Sequence, residues 1–243
     1  MRTFTFLRRT AKEILLDPLT VLMGLGFPLV VLLLLTAIQR NIPVKMFELI
    51  ELTPGISVFG LSFITLFSAL LVSKDRTTSF LQRLFTTPLT ASDYILGYTL
   101  PLIPISLLQS AVCYLAAVIL GLEITVGIIW ALLSVIVISL FFIALGLFFG
   151  SILTDKQVGG LCGALVTNLT AWLSGTWFDV SMVGGWFETI ANILPFIHCV
   201  ELQRALLKSD FDGIFPHLWF VLGYAALFMI AAVIVFTRKM KSD

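Results

Sequence analysis

Few side chains in this sequence are of types that do covalent chemistry, and none is spaced for it. His198 and His217 stand alone, and an interfacial histidine is more often structural than a ligand. Cys113, Cys162 and Cys199 are odd in number, widely separated and without a CxxC pair. The first two sit in apolar runs, where a thiol behaves as a small hydrophobe; Cys199 is open to reaction or to pairing between chains. There is no HExxH, no metal-spaced His/Cys cluster and no nucleophile elbow. No GxxxxGKS/T loop occurs either, and Gly159, Gly160 and Gly163 lack the lysine a phosphate cradle needs. The chain is therefore read as a non-enzyme with no cofactor of its own.

The chemistry that remains is recognition, and one stretch is built for it. In 74–93, KDRTTSFLQRLFTTPLTASD, the residues Phe80, Leu81, Leu84 and Phe85 share one helical face. Arg76, Gln82, Arg83 and Thr86 lie mostly off that face, which predicts a short amphipathic helix. Thr87 precedes Pro88 and is pushed out of the helical region, so the helix should stop there. Thr90 with Asp93 offers a capping box for the next helix. Phe80 to Phe85 have two readings, anchoring at the lipid interface or docking on a protein. Arg76 and Arg83 are likewise either solvated or paired.

The elements that position this stretch are membrane spans. Of 243 residues, 59% are hydrophobic and 12% charged, against about 25% charged in soluble domains. Only helices or closed barrels satisfy the backbone in lipid, and the apolar runs are unbroken rather than alternating, so helices are expected. The expected fold is all-α: one transmembrane domain over 1–243 with six spans. Residues 1–17 carry Phe4, Leu7, Ala11, Ile14 and Leu15 on one side and Arg8, Arg9 and Lys12 on the other, an amphipathic helix lying on the membrane lipids. Spans follow at about 19–38, 56–73, 95–120, 128–153, 158–175 and 216–236. Pro101 and Pro104 should kink the third. Within 176–215, the apolar stripes 177–183 and 186–194, separated by Gly184-Gly185 and ended by Pro195, predict two short re-entrant helices, with 196–215 a polar face. Trp177 and Trp186 suit the interface.

Basic residues crowd the termini, 74–83 and Lys156, while the opposite segments hold Arg40, Lys45, Arg204 and Lys208. This pattern puts both termini in the cytoplasm. No span has an acidic or basic residue near its centre, which coupled carriers usually need, and no inverted repeat is clear. Energy should then reach the chain through a partner. Asn168, with Thr167 and Thr170, reads as the most polar group within a span, suited to interhelical hydrogen bonds of about 1 kcal/mol or less or to substrate contact. Phe59, Phe63 and Phe67 repeat every four residues as one stripe, either packing or substrate surface. Glu201 and Arg204, three apart, can pair.

Two stretches resemble a known family. The first is Asp75-Arg76, Leu81-Gln82-Arg83-Leu84, Thr86-Thr87-Pro88-Leu89-Thr90, Tyr94 and Leu96-Gly97. The second is Leu173-Ser174-Gly175, then Ile193-Leu194-Pro195, Glu201 and Arg204-Ala205-Leu206-Leu207. Both resemble type-2 ABC exporter permeases, although Asp179-Val180 follows Trp177-Phe178 where that family often has a proline. The resemblance implies a dimer of the permease with a second copy or paralogue. It also implies two P-loop ATPase subunits that hold ATP and Mg, and no nucleic acid partner. It makes 1–17 a connecting helix and 74–93 a coupling helix whose ATPase-facing residues are Arg76, Phe80, Leu81, Arg83, Leu84, Phe85 and Pro88. The second and fifth spans would line a cavity with Phe59, Phe63, Phe67, Thr167 and Asn168. The re-entrant region would form an outer gate with Trp177, Phe178, Trp186 and Pro195. The expected function is export of a hydrophobic or amphipathic compound across a prokaryotic plasma membrane. The rival readings are a stand-alone carrier or channel and a membrane immunity protein that sequesters a toxic compound.

Overall fold

The computed structural model describes residues 2–18, 22–42, 47–77 and 91–242. The described chain is all-α. Helix α1, Arg2–Leu16, buries Thr10 and Ile14 and exposes Arg8 and Lys12. A π-helical turn, Leu22–Gly26, leads into α2, Phe27–Gln39. Pro28 has no N–H to give the Gly24 carbonyl four residues back, and the wide turn lies where that bond is missing.

Helix α3, Leu49–Thr77, is the centre of the bundle: 89% of its apolar window is buried, against 17% for α10, Phe211–Ser242. A helix buried all round in lipid needs close, hydrogen-bonded neighbours rather than a hydrophobic drive. Its serines and threonines supply them. Thr65 Oγ1 donates to the Phe142 carbonyl at 2.9 Å and Ser68 Oγ to that of Ile143 at 3.1 Å. Both acceptors lie on α5, Val126–Ile152. Gly146 and Gly150 of α5 let the backbones meet: a Cβ on Gly146 would sit 2.5 Å from the Thr65 carbonyl oxygen, and one on Gly150 2.6 Å from that of Ala69. On its other side α3 meets α4, Ala91–Leu120, through Ser57 Oγ donating to Ser110 Oγ at 2.9 Å. Helix α4 continues through Pro101 and Pro104 as one element.

After α5 the chain turns at Thr154, whose N–H is accepted by the Gln157 side chain at 3.0 Å, one half of a capping box. Helix α6, Asp155–Gly160, a π-helical stretch, Leu161–Val166, and α7, Thr167–Leu173, follow without a break. This is the segment expected as the fifth span. Five helical segments among the described residues are long and apolar enough to cross a membrane, at 22–39, 49–76, 95–120, 126–152 and 211–238, and 155–173 is not one of them. Its physical difference is polarity: Asp155, Lys156 and Gln157 open it, and Thr167, Asn168 and Thr170 interrupt it. The count rises to six when the bent pair α8, Gly185–Ile193, and α9, Pro195–Lys208, is taken as one span.

That pair bends by 74° at Leu194-Pro195, where Leu194 is extended and Pro195 opens α9. The breaks at Gly184-Gly185 and Pro195 stand where the sequence predicts them. Two details differ. Residues 177–183 form only a short 3₁₀ turn, Val180–Met182, because the Asp179 carboxylate accepts from the Ser181 N–H at 2.9 Å and its hydroxyl at 2.8 Å and closes the chain there. Those bonds hold the Asp179 carboxyl below its ordinary value. The stretch 196–215, expected as a polar face, is helical from its start: α9 buries Phe196, His198, Cys199, Val200, Leu202 and Gln203, with its charges gathered on one side.

Candidate functional site

At the end of α3 a buried carboxylate collects partners from two other elements. Asp75 is 3% exposed. Arg9 of α1 grips it with both terminal nitrogens, at 2.7 and 2.6 Å, and the Tyr98 hydroxyl of α4 donates to it at 2.5 Å. A bidentate guanidinium–carboxylate pair fixes orientation as well as distance. Arg9 also meets Glu13 at 3.0 Å. The hydrogen bond to Asp75 holds the Arg9 guanidinium above its ordinary value, against the opposing effect of burial. The next residue, Arg76, turns the other way. It donates to the carbonyls of Gly150 at 3.3 Å and Leu153 at 2.8 Å, and to that of Ser151. These are carbonyls at the end of α5 that have no intrahelical donor, so Arg76 is a C-terminal cap supplied by a neighbouring helix.

Together Asp75 and Arg76 join the exit of α3 to α1, α4 and α5 in one polar knot. Phe80, Leu81, Arg83, Leu84, Phe85, Pro88 and Thr90 lie outside the described residues. Arg76, of the coupling set, engages the fourth span rather than projecting outward. The sequence shows Arg9 only as part of the cationic side of 1–17 and Asp75 only in a stretch that resembles the family; it does not mark Tyr98. The available signal was a single acid at the end of an uncharged span, flanked by Lys74 and Arg76.

The aromatic stripe lies inside the protomer. Phe59, Phe63 and Phe67 are 5%, 6% and 4% exposed. Phe59 and Phe63 meet edge to face at 5.8 Å, Phe27 of α2 covers both at 6.0 and 5.8 Å, and Trp177 closes on Phe59 at 5.7 Å. Thr167 is buried, its hydroxyl donating to the Cys162 carbonyl at 3.2 Å. Asn168 is exposed and donates to the Ala164 carbonyl at 2.8 Å. The structure thus parts Asn168 from the stripe: it shares an outward ridge with Lys156, Gly160, Ala164 and Trp172. Nor is it the most polar group within a span. Gln109 of α4 is deeply buried, accepting from Ser110 Oγ at 3.3 Å, and Gln203 of α9 is deeper still, accepting from the Tyr114 hydroxyl at 3.2 Å.

A second knot lies at the opposite end of α3. Arg204 ion-pairs with Glu201 at 2.7 Å and with Glu51 at 3.1 Å, and donates to the Gly175 carbonyl at 2.9 Å and that of Glu51 at 3.2 Å. Lys208 also pairs with Glu51. The Glu201–Arg204 contact is the one the spacing predicts; Glu51 and Gly175 extend it to the start of α3 and the end of the 155–173 segment. A cleft of about 430 Å³ opens here, lined by Trp177, Phe178, Asp179, Glu51, Glu201 and Arg204. Of the expected gate residues, Trp177 packs on Phe59, and Phe178 meets Phe187 at 6.1 Å. Trp186 is 76% exposed and Pro195 is buried. Among the described residues no group of three or more His, Cys, Asp and Glu side chains could hold a metal ion.

The two knots tie the ends of a buried central helix to the elements around them. A family model described as ABC-2 type transporter matches residues 1–208. Nodulation protein J of Bradyrhizobium diazoefficiens is 25% identical over 227 residues, covering 93% of this chain and 85% of that protein.

Proposed function

The chain belongs to the ABC-2 type transporter family, and from that premise we propose that it is the permease subunit of an ATP-driven exporter in a prokaryotic plasma membrane. It works as one transmembrane unit over 1–243 and pairs with a second copy or paralogue. Both termini face the cytoplasm. P-loop ATPase subunits dock on 74–93, with Phe80, Leu81, Leu84 and Phe85 as the docking face. The cargo is a hydrophobic or amphipathic compound that passes the aromatic stripe and leaves beneath the outer gate.

One observation carries this reading. The segment proposed to receive the ATPase emerges from α3 directly after Asp75 and Arg76, which are tied to α1, α4 and α5. A push on that segment enters the most buried helix of the bundle along its own chain and is handed to α1, α4 and α5 through bidentate and capping contacts. Arg204 stands at the far end of the same helix, on the cleft beside Trp177.

Co-purification tests it. A tagged chain should bring down a P-loop ATPase when the two are co-expressed. Leu84→Asp with Phe85→Asp should abolish that association while the number of membrane crossings, read by cysteine labelling from each side, stays as in the parent. Unchanged ATPase association in the double variant would overturn the docking face.

A further inference from the structure

We propose that His198 and His217 form a proton-operated latch, one that pins the bent pair α8–α9 to the last span and lets go when both rings are charged. The hydrogen positions follow from the partners. His198 Nε2 lies 2.8 Å from the Asn192 carbonyl oxygen, an atom that only accepts, so this nitrogen carries a hydrogen. His198 Nδ1 lies 2.8 Å from His217 Nδ1, and two nitrogens at that distance share a single proton. In the neutral pair His198 Nδ1 accepts and His217 Nδ1 donates. A first added proton goes to His217 Nε2, and the bond between the rings survives. A second must go to His198 Nδ1. Two N–H donors on two cations then face each other, and the bond becomes a repulsion.

The latch holds three elements at one point. Asn192 belongs to α8, His198 to α9 and His217 to α10. Helix α8 has few other attachments: Ala191 is its buried residue, and the Tyr224 hydroxyl of α10 donates to the Ile193 carbonyl at 2.9 Å. Phe220 stacks on His198 at 4.0 Å and 20°, which keeps the ring in plane with its partners. Opening the His–His bond leaves Tyr224 as the hydrogen bond from α10 to the corner.

The charged surroundings are few. Glu201, one turn along α9, is the titratable group whose charge acts on both rings, and it is itself paired with Arg204. Helices α5 and α7 carry no charged residue; α8 carries Glu188. Helix α3 offers Glu51, held by Arg204 and Lys208. Helix α10 has Asp212 before His217, in the chain that continues from Asp210, and its basic residues at the far end. The first proton is therefore accommodated next to Glu201, and the second meets no further carboxylate contact on the pair.

The test is amide hydrogen exchange of the full-length protein in lipid nanodiscs. Peptides covering 185–194 are followed from about pH 7.5 to about pH 4, a window that runs well below the ordinary histidine value because the second charge is added beside the first, and corrected with an unstructured reference peptide. The parent should exchange about fivefold faster at the acid end, the size expected for losing one hydrogen bond. His217→Gln keeps a donor that does not titrate, so it should stay protected with no acid step. His217→Phe should be fast throughout. A parent with no acid step, or a His217→Gln variant that keeps it, overturns the proposal, and that comparison stands even if the phenylalanine variant misfolds. Nitrogen-15 spectra at neutral pH should show His198 as the Nε2–H tautomer; the Nδ1–H tautomer would equally overturn it.

Discussion

Among the described residues, Arg9 and Tyr98 hold Asp75 with unequal weight, and substitution should separate them. Tyr98→Phe removes one charge-assisted hydrogen bond and leaves the Arg9 grip in place, a loss of about 1.5 kcal/mol. Asp75→Ala leaves both Arg9 and the Tyr98 hydroxyl without this acceptor. A fully buried broken pair costs about 3–5 kcal/mol. The Arg9 side chain is 36% exposed, so solvent screening brings the expected loss to about 2 kcal/mol. Thermal unfolding in detergent should rank the parent above Tyr98→Phe and Tyr98→Phe above Asp75→Ala. This site was only partly legible in the sequence. Glu201 and Arg204 are three residues apart on one helix, and spacing alone pairs them. Arg9 and Asp75 are 66 positions apart, and their meeting is decided by how α1 lies across the bundle, which no local pattern encodes. Arg76 was legible as a cation in a polar stretch; its capping role depends on where α5 happens to end.

At the scale of elements, the contact between α3 and α5 rests on absent side chains. Gly146→Ala places a methyl 2.5 Å from the Thr65 carbonyl oxygen, with Ser68 also within 3.0 Å. The helices must part and the Thr65 and Ser68 bonds lengthen, which should cost about 1–3 kcal/mol. Gly159→Ala meets nothing within 4 Å and should leave thermal stability of the protomer unchanged. Equal effects of the two substitutions would contradict the packing described. Long, uncharged runs made α2, α3, α4, α5 and α10 readable from composition. The 155–173 segment was readable as a helix but is less apolar than the others: Asn168 faces an outward ridge, while Thr167 and Thr170 are buried. Helix α9 escaped because its charges are conspicuous in sequence, whereas its buried face, from Phe196 to Leu207, shows only once the helix is wound.

For the whole molecule, we place the proposed second protomer against the outward ridge Gly160, Ala164, Asn168 and Trp172, all exposed in the single chain. Gly160 has nothing within 4 Å in the protomer, so Gly160→Trp should leave the monomer's unfolding temperature intact and lower the dimer fraction measured by light scattering. Loss of monomer stability instead would place that ridge in intrachain packing. The central claim is that force entering at 74–93 moves α3 together with α1 and α4, locked by the Arg9–Asp75–Tyr98 knot, and so reaches the opposite end of the bundle. Spin labels at Trp186→Cys in both protomers read it directly, because Cys113, Cys162 and Cys199 are buried and stay unlabelled. In the complex with the proposed ATPase, adding ATP should change the distance between the labels. With Asp75→Ala the complex should still assemble and hydrolyse ATP, and that change should be lost. An ATP-driven distance change as large in Asp75→Ala as in the parent would contradict the account.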